Sequence, residues 1–434
     1  MLAKKVLMSQ PSGGGVQSAY IAEFQKSGPV DLTTNSAGVY CVSGLAGGGF
    51  VVAFEDSSTA HVIKCDADAN VDWSRNITGG RPEGLFVDSG GKISVWTPTF
   101  PNNIEMTVLN SSGTSLGGTR ISNGSGQNIY AWNATGGLPQ ETSSYIYWPG
   151  YQYGAISSDS GRSGSAIRRT NKSTYAYDTS YYCSSAGGTN RGIGSGVDGS
   201  GNMYIAGYTT DDSFSVNVAK LNSSGVKQFN KRYSGTFIFG NAAVFDGSGN
   251  CYITGRNVPG NDNLYVLAID NTGAISWAKQ LVGTYNSTGG GICLTSGGKI
   301  AVTGWYRTNN ARWSAYVGVL ETDGTFVWDN VIDNSSGNMY NYHCDIDGNG
   351  QMYSRIRNDA EGTGTVLSIN PDADFPITAG TYGNYVVTEP NFTYSSFSPN
   401  NTNVGYTIGT PSYSATTHSR TVSSASTVVT KTTL

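Results

Sequence analysis

DGSGNMYIAGYTTDDSFSVNVAKLNSSGVKQFNKRYSG, running from Asp198 to Gly235, is the stretch whose reading decides the fold. It holds two Gly-containing turns, DGSGN at Asp198 and NSSG at Asn222, each between strand-like runs. Gly in such a turn takes positive φ at little steric cost, and the alternation in MYIAG marks a strand with one buried face. The stretch therefore reads as two hairpins, four strands in all.

The unit recurs along the chain. Its first turn returns as LAGGG from Leu45, DSGGK from Asp88, DGSGN from Asp246, TSGGK from Thr295 and DGNGQ from Asp347, and the steps after Asp198 are 48, 49 and 52 residues. The second hairpin returns in IKCDADANVDW, AIDNTGAISW and VLETDGTFVW. There an acidic residue or Asn precedes an aromatic by seven positions: Asp66 to Trp73, Asn222 to Phe229, Asp270 to Trp277, Glu321 to Trp328. The short polar side chain hydrogen-bonds its own turn while the aromatic packs between neighbouring sheets. Trp73, Trp277 and Trp328 are accordingly expected at equivalent buried positions. Four-stranded sheets stacked radially leave only short edges, so the expected fold is an all-β, seven-bladed β-propeller; six or eight blades stay open.

Between Asp88 and Asp198 lie 110 residues, which accommodate a degenerate third copy opening near Asn128 with an insertion within 138–191. Tyr20 to Leu32 reads as the second hairpin of a unit without its first. Its expected partner is the last copy, Asn341 to Ile377, so that strands from both ends of the chain complete one blade and two exposed edges disappear. The layout expected is an N-terminal arm over 1–19, a propeller over 20–379 and a Ser/Thr-rich C-terminal tail over 380–434. That tail has high β propensity but too few apolar residues for a core of its own. It reads as an assembly arm that adds strands to another subunit's sheet, and its removal is expected to leave melting almost unchanged.

Composition agrees with many short strands and polar turns: 59 Gly and 27 Tyr in 434 residues, with only 13% charged. A net charge of -4 and no basic stripe argue against a nucleic-acid partner. Met1 to Gln10 has no apolar run of signal-peptide length, and no stretch approaches the 18 or so apolar residues of a membrane span, so a soluble protein without membrane insertion is expected. The six cysteines show no CxxC spacing and read as buried thiols.

The units over Gly192 to Asn334 resemble the SBBP-type repeats of seven-bladed propellers found in bacterial surface proteins and tailed-phage proteins. The likeness is weaker over Gly38 to Thr119 and poor in the third copy. INPDADFPITAGTYG, from Ile369, with FTYSSFSP and the closing TVVTKTTL, is similar to the ends of marine-phage propeller proteins carried near tail-fibre genes. The resemblance implies a virion protein assembled in the host cytoplasm, oligomeric within the particle, with other tail proteins and a host cell-surface glycan or protein receptor as partners. A secreted or surface carbohydrate-binding propeller is the alternative.

Chemistry-bearing motifs are sparse. His61, His343 and His418 are the only histidines, and none stands near a second metal-type ligand or a carboxylate that would orient it as a base. SSGVKQF and TDGTFVW resemble the sialidase Asp-box, and AIDNTGAISW the tryptophan-docking motif of quinoprotein dehydrogenases; both are themselves structural turns. Asp345 to Gly350, DIDGNG, copies the start of a calcium loop, but its twelfth position is Ile356 rather than Glu, so an ordinary turn is expected. No catalytic, cofactor or metal residue is therefore assigned, and a non-enzymatic protein is expected. Trp148, Tyr151, Tyr153, Arg162, Arg168 and Arg169, in the irregular third copy, form the candidate contact surface, where aromatics flanked by guanidiniums suit sugar faces or a protein partner.

Overall fold

Where a Gly-rich turn leads with Asp, that residue caps it. The Oδ1 atom of Asp198 accepts from the amides of Ser200 and Asn202, both at 2.9 Å, and Asp246, Asp88 and Asp347 do the same in their own turns. The residue three positions on must be left-handed to bring those amides inward: φ is +79° at Gly201 and +83° at Gly249. The second turns use the same device, with Asn222 bonding Ser224 and Val226, and Asp270 bonding Thr272 and Ala274.

These turns close the hairpins of seven antiparallel sheets, arranged as a seven-bladed propeller in a computed structural model. Residues 19–26, 39–56, 59–99, 103–123, 129–131, 137–153, 163–184, 190–210, 214–235, 238–258, 262–307, 312–334, 337–359, 363–373, 377, 379–382, 384–388, 393–403, 407–409, 413–417, 422–424 and 427–432 are described, and among them there is no helix. Blade 1 opens with Val39–Gly44, blade 2 with Gly84–Val87 and blade 3 with Ile129–Ala131. Blades 4 to 7 open with Asn190–Val197, Ile238–Phe245, Ser287–Leu294 and Met339–Ile346.

Blade 7 takes its second and third strands from Met352–Asn358 and Thr363–Ile369 and its fourth from Tyr20–Lys26, with Tyr20 opposite Ser368 and Phe24 opposite Gly364. Ring closure by both ends of the chain is as expected, although one strand rather than a hairpin supplies it; 27–38 lies outside the described residues. So does 1–18 of the expected arm, while Ala19 is buried.

Sheets sandwiched on both faces bury both faces of their inner strands. Asn263–Ile269 of blade 5 is buried at every position, whereas the fourth strand, Ile275–Val282, buries only Ala278 and Leu281. The single buried face inferred from alternation is therefore corrected for the inner strands. Their polar members are also inside: Thr254 is fully buried and donates its hydroxyl to the Tyr265 carbonyl at 2.8 Å. All six cysteines are buried free thiols, and burial pushes those of Cys41 and Cys183 up to about 12.

The aromatic spacing also holds. Trp73, Trp277 and Trp328 sit at one repeat position and donate their indole N–H to the next blade's turn, to Ser111 (2.9 Å), Thr322 (2.8 Å) and Ala373 (3.1 Å). Only Trp328 is buried; the other two are half-buried, because a fourth strand lies toward the outside of the wheel.

The described residues of 380–434 depart from the expected assembly arm. Tyr385–Thr388 pairs with the fourth strand of blade 6, Thr393–Ser396 with blade 5, Asn400–Asn403 with blade 4 and Thr407–Gly409 with blade 3. Tyr413–Thr417, Val422–Ser424 and Thr427–Thr432 then pair with blades 2, 1 and 7. The tail is thus a belt that adds a fifth outer strand to every blade of its own ring, in reverse order. The unsatisfied backbone edges of seven fourth strands stand closer to it than any other molecule's sheet, so the β propensity that suggested strand addition between subunits is met within the chain.

Candidate binding rim

Two ends of the central shaft differ. The turn face carries the Gly-rich turns, and there a cavity of about 500 Å³ is lined by Gly44, Asp88, Glu141, Val197, Asp345 and Asp347. Blade 3 partly closes this end. Its Ile129–Ala131 and Gln140–Glu141 both pair with the same partner strand, Tyr145–Tyr153, where nine residues from Ala131 to Gln140 stand against three from Gly150 to Tyr147. Gln140 reaches two neighbours, donating to the Phe245 carbonyl at 2.6 Å and accepting from the Val197 amide at 2.9 Å. Leu138 packs against the apolar cluster of blades 6 and 7 on the far side. The excess length of the third copy therefore lies partly ahead of the expected 138–191 window, between Ala131 and Gln140.

The carboxylates at this end are engaged by their own chain. Besides its turn amides, Asp347 accepts from the Gly49 amide (3.0 Å) and the Tyr353 hydroxyl (3.1 Å) through its Oδ2 atom. Asp345 ties blade 7 to blade 1 through Ser43 Oγ (2.9 Å) and Gly44 N (3.0 Å), and burial pushes it up to about 6. DIDGNG thus uses its acids as turn cap and blade tie. Glu141 pairs with Lys172 at 2.7 Å.

The six expected contact residues do not form one surface. Trp148 and Arg168 are cross-strand partners, 2% and 1% exposed. The Trp148 indole packs edge-on to Trp96, with centroids 5.1 Å apart, and donates to Thr170 Oγ1. Arg169 is pinned to Asp178 and lies 4.4 Å over the Tyr145 ring. Tyr151 and Tyr153 belong to strand Tyr145–Tyr153, their side chains lying outside the described residues, as does Arg162 altogether. With both sheet faces buried, alternation along a strand carries no inside–outside sign, which is why Trp148 and Arg168 are core.

A different constellation stands on the loop face, where the second and third strands and successive blades are joined. In blades 4 to 7, the second residue of the first strand faces the sixth of the second strand: Arg191 with Tyr208, Phe239 with Arg256, Thr288 with Trp305, Tyr340 with Arg357. Three of these pairs set a guanidinium over a ring, at 5.9, 4.3 and 5.7 Å. Rings also meet across blades, Tyr208 with Phe239 at 6.4 Å and Trp305 with Tyr340 at 5.7 Å.

The rim is densest at blades 6 and 7. A bulge between Asn341 and His343 turns Tyr342 onto Trp305, 4.9 Å away, with Arg355 4.9 Å over its ring; Trp313 adds a fourth ring, 6.3 Å from Tyr340 and covered by Arg307. A side chain at Gly290 would stand 2.2 Å from the Asn341 carbonyl and 3.1 Å from the indole, so glycine there lets the blades approach and Trp305 lie across them. Burial raises the Tyr340 and Tyr342 hydroxyls, which stay protonated donors at neutral pH. All four rings are half-buried and lie outside the apolar clusters between blades. The sequence reading passed over them. The signal was present in WYR (305–307), YNY (340–342) and RIR (355–357), which place aromatics and arginines at one repeat position.

No protein-family model matches the chain, and no curated protein matches it. Among solved structures it is similar to the Dos1 propeller, at 10% identity and a TM-score of 0.46 over 76% of this chain and 78% of that one. A putative 6-phosphogluconolactonase from Bacteroides fragilis is 12% identical, with a TM-score of 0.42 over 85% of this chain and 98% of that one. A Dyadobacter fermentans protein of unknown function is 9% identical, with a TM-score of 0.42 over 80% and 97%. These are likenesses of fold alone; the seven-bladed propeller itself stands on the seven sheets and their order.

Proposed function

We propose that this chain is a non-enzymatic structural and binding propeller of a tailed-phage particle, placed in the tail or fibre apparatus, that presents the loop-face rim to its partner. The observation that carries the binding role is the set of half-buried rings and guanidiniums outside the core on one face, with the opposite shaft mouth crossed by the chain's own Gln140. Partner contacts concentrate on such aromatic and arginine residues. A non-catalytic role is supported by His61 and His343, both fully buried within blades, and by acids engaged in turns. The phage setting rests on the likeness of the repeats and of the closing segment. Since the belt is taken up by its own ring, assembly contacts fall to the rim and the loop face around it.

Mass spectrometry of purified particles tests the setting: the chain is expected among their proteins at stoichiometric level, and its absence would defeat the phage reading. Trp305→Ala with Tyr342→Ala is expected to weaken host adsorption or particle incorporation at least tenfold while leaving a folded ring.

A further inference from the structure

We propose that Cys293 and Cys344 are a compartment-dependent cross-link, a disulfide between blades 6 and 7 when the chain folds under oxidising conditions and two inert thiols when it folds under reducing ones. The inference is independent of the binding role above. Cys41, Cys65, Cys183 and Cys251 are buried and each is the only cysteine of its apolar cluster. Cys293 and Cys344 share one, in the seam between blades 6 and 7.

The repeat sets the two face to face. Cys293 is the seventh residue of Ser287–Leu294 and Cys344 the sixth of Met339–Ile346. One seam earlier the same positions hold Val244 and Ile292, which pack in a single cluster. The backbones come close here: a side chain at Gly291 would stand 2.6 Å from the Tyr342 carbonyl and 3.0 Å from the His343 Cα. The two thiols hydrogen-bond across the seam, and that bond, together with burial, holds Cys293 well above the usual thiol range. Since the thiolate is the nucleophile, the closed ring protects the pair and the bond belongs to the folding chain. There the thiolate of one cysteine displaces a thiolate from a small disulfide such as oxidised glutathione, and the second cysteine displaces the other half from the mixed disulfide. Two protein thiols lose two electrons and two protons, and the small disulfide gains both as two thiols. The bond would tie blade 7, which both ends of the chain complete, covalently to blade 6.

The test produces the full chain in bacterial cytosol kept reducing and in cytosol whose glutathione pool is held oxidised. Thiols are then counted by alkylation in denaturant, and linked peptides are mapped by mass spectrometry. The reduced chain is expected to show its six thiols and the oxidised chain four, with one linked pair containing Cys293 and Cys344. A bond closing a span of 51 residues constrains the unfolded chain, so the oxidised form should melt higher by about 5 °C or more. Cys293→Ser and Cys344→Ser should each abolish both the bond and the rise; each is compared with the same variant from the reducing cytosol, so any loss of packing cancels. Six thiols in the oxidised preparation, a bond between other cysteines, a bond with no rise in melting, or a chain that folds only in the reducing cytosol would overturn the proposal.

Discussion

Tyr385, on the first belt strand to meet a blade, donates its hydroxyl to the carboxylate of Glu23 on the strand that closes the ring, joining residues 362 positions apart. Both side chains are buried. Tyr385→Phe keeps the ring's packing but withdraws a donor from a buried carboxylate, and is expected to cost about 1 to 3 kcal/mol. Denaturant unfolding checks this; a midpoint equal to the wild type would show that the bond contributes nothing.

Removal of 380–434 should destabilise the propeller strongly, the reverse of what the sequence suggests. Tyr385 and Val387 are core residues of blades 6 and 7. Tyr394 stacks on Phe326 at 4.1 Å and donates to Asp329 at 2.6 Å. Losing three such side chains forfeits roughly 5 kcal/mol or more of apolar burial and bares seven strand edges. Thermal melting and light scattering of the truncated chain are expected to show a lower Tm and aggregation.

The repeated tryptophans should separate by depth. Trp328→Ala removes a side chain 4% exposed and is expected to cost about 3 to 5 kcal/mol, whereas Trp277→Ala, at a half-buried position, should cost about 1 to 3 kcal/mol. Chemical denaturation ranks the two; the opposite order would contradict the placement of the fourth strands.

Glu83 predicts a pH dependence of stability. Burial, only partly offset by its pairing with Arg81, raises its carboxyl from 4.5 to about 7. The folded state then holds this proton more tightly than the unfolded chain, so Glu83's contribution is full below about 4.5 and is lost as pH rises through 7. His343 has the opposite sign: held neutral by burial and lowered to about 3, it costs stability as pH falls from 6.5 towards 3. Glu83→Gln should gain on the wild type progressively between pH 4.5 and 7, read as the difference in denaturation midpoint. Parallel curves would show that Glu83 is not the group responsible.

The blades were legible because their turns are local chemistry: Asp198, Asn222 and Asp270 bond amides two and four residues on, and glycine marks the left-handed position. The closing strand was legible from the incomplete unit at Tyr20. Long-range placement was not. Nothing local in TYSS or NNTN tells whether those strands pair with this ring or another, since edge pairing uses backbone atoms that every residue carries. Trp148 and Trp305 show the same limit for the site: both are aromatics in second strands, and only the neighbouring blade decides that one meets Trp96 in the core and the other meets Tyr342 at a rim.

The belt's direction has a kinetic consequence. Its strands bridge steadily growing separations, 51 residues from Asn334 to Tyr385, 166 from Ser234 to Asn400 and 411 from Ile21 to Thr432. Laid on an unformed chain the last of these would be a very slow contact, but each seated strand brings the next within a few residues of its blade, so closure proceeds as a zipper with short loops at every step. Unzipping must run backwards: Thr427–Thr432 has to leave before Tyr20–Lys26, held between it and Thr363–Ile369, can follow. A wheel fastened in this way should open slowly for its equilibrium stability, its persistence set by the height of the unfolding barrier rather than by the depth of the folded well.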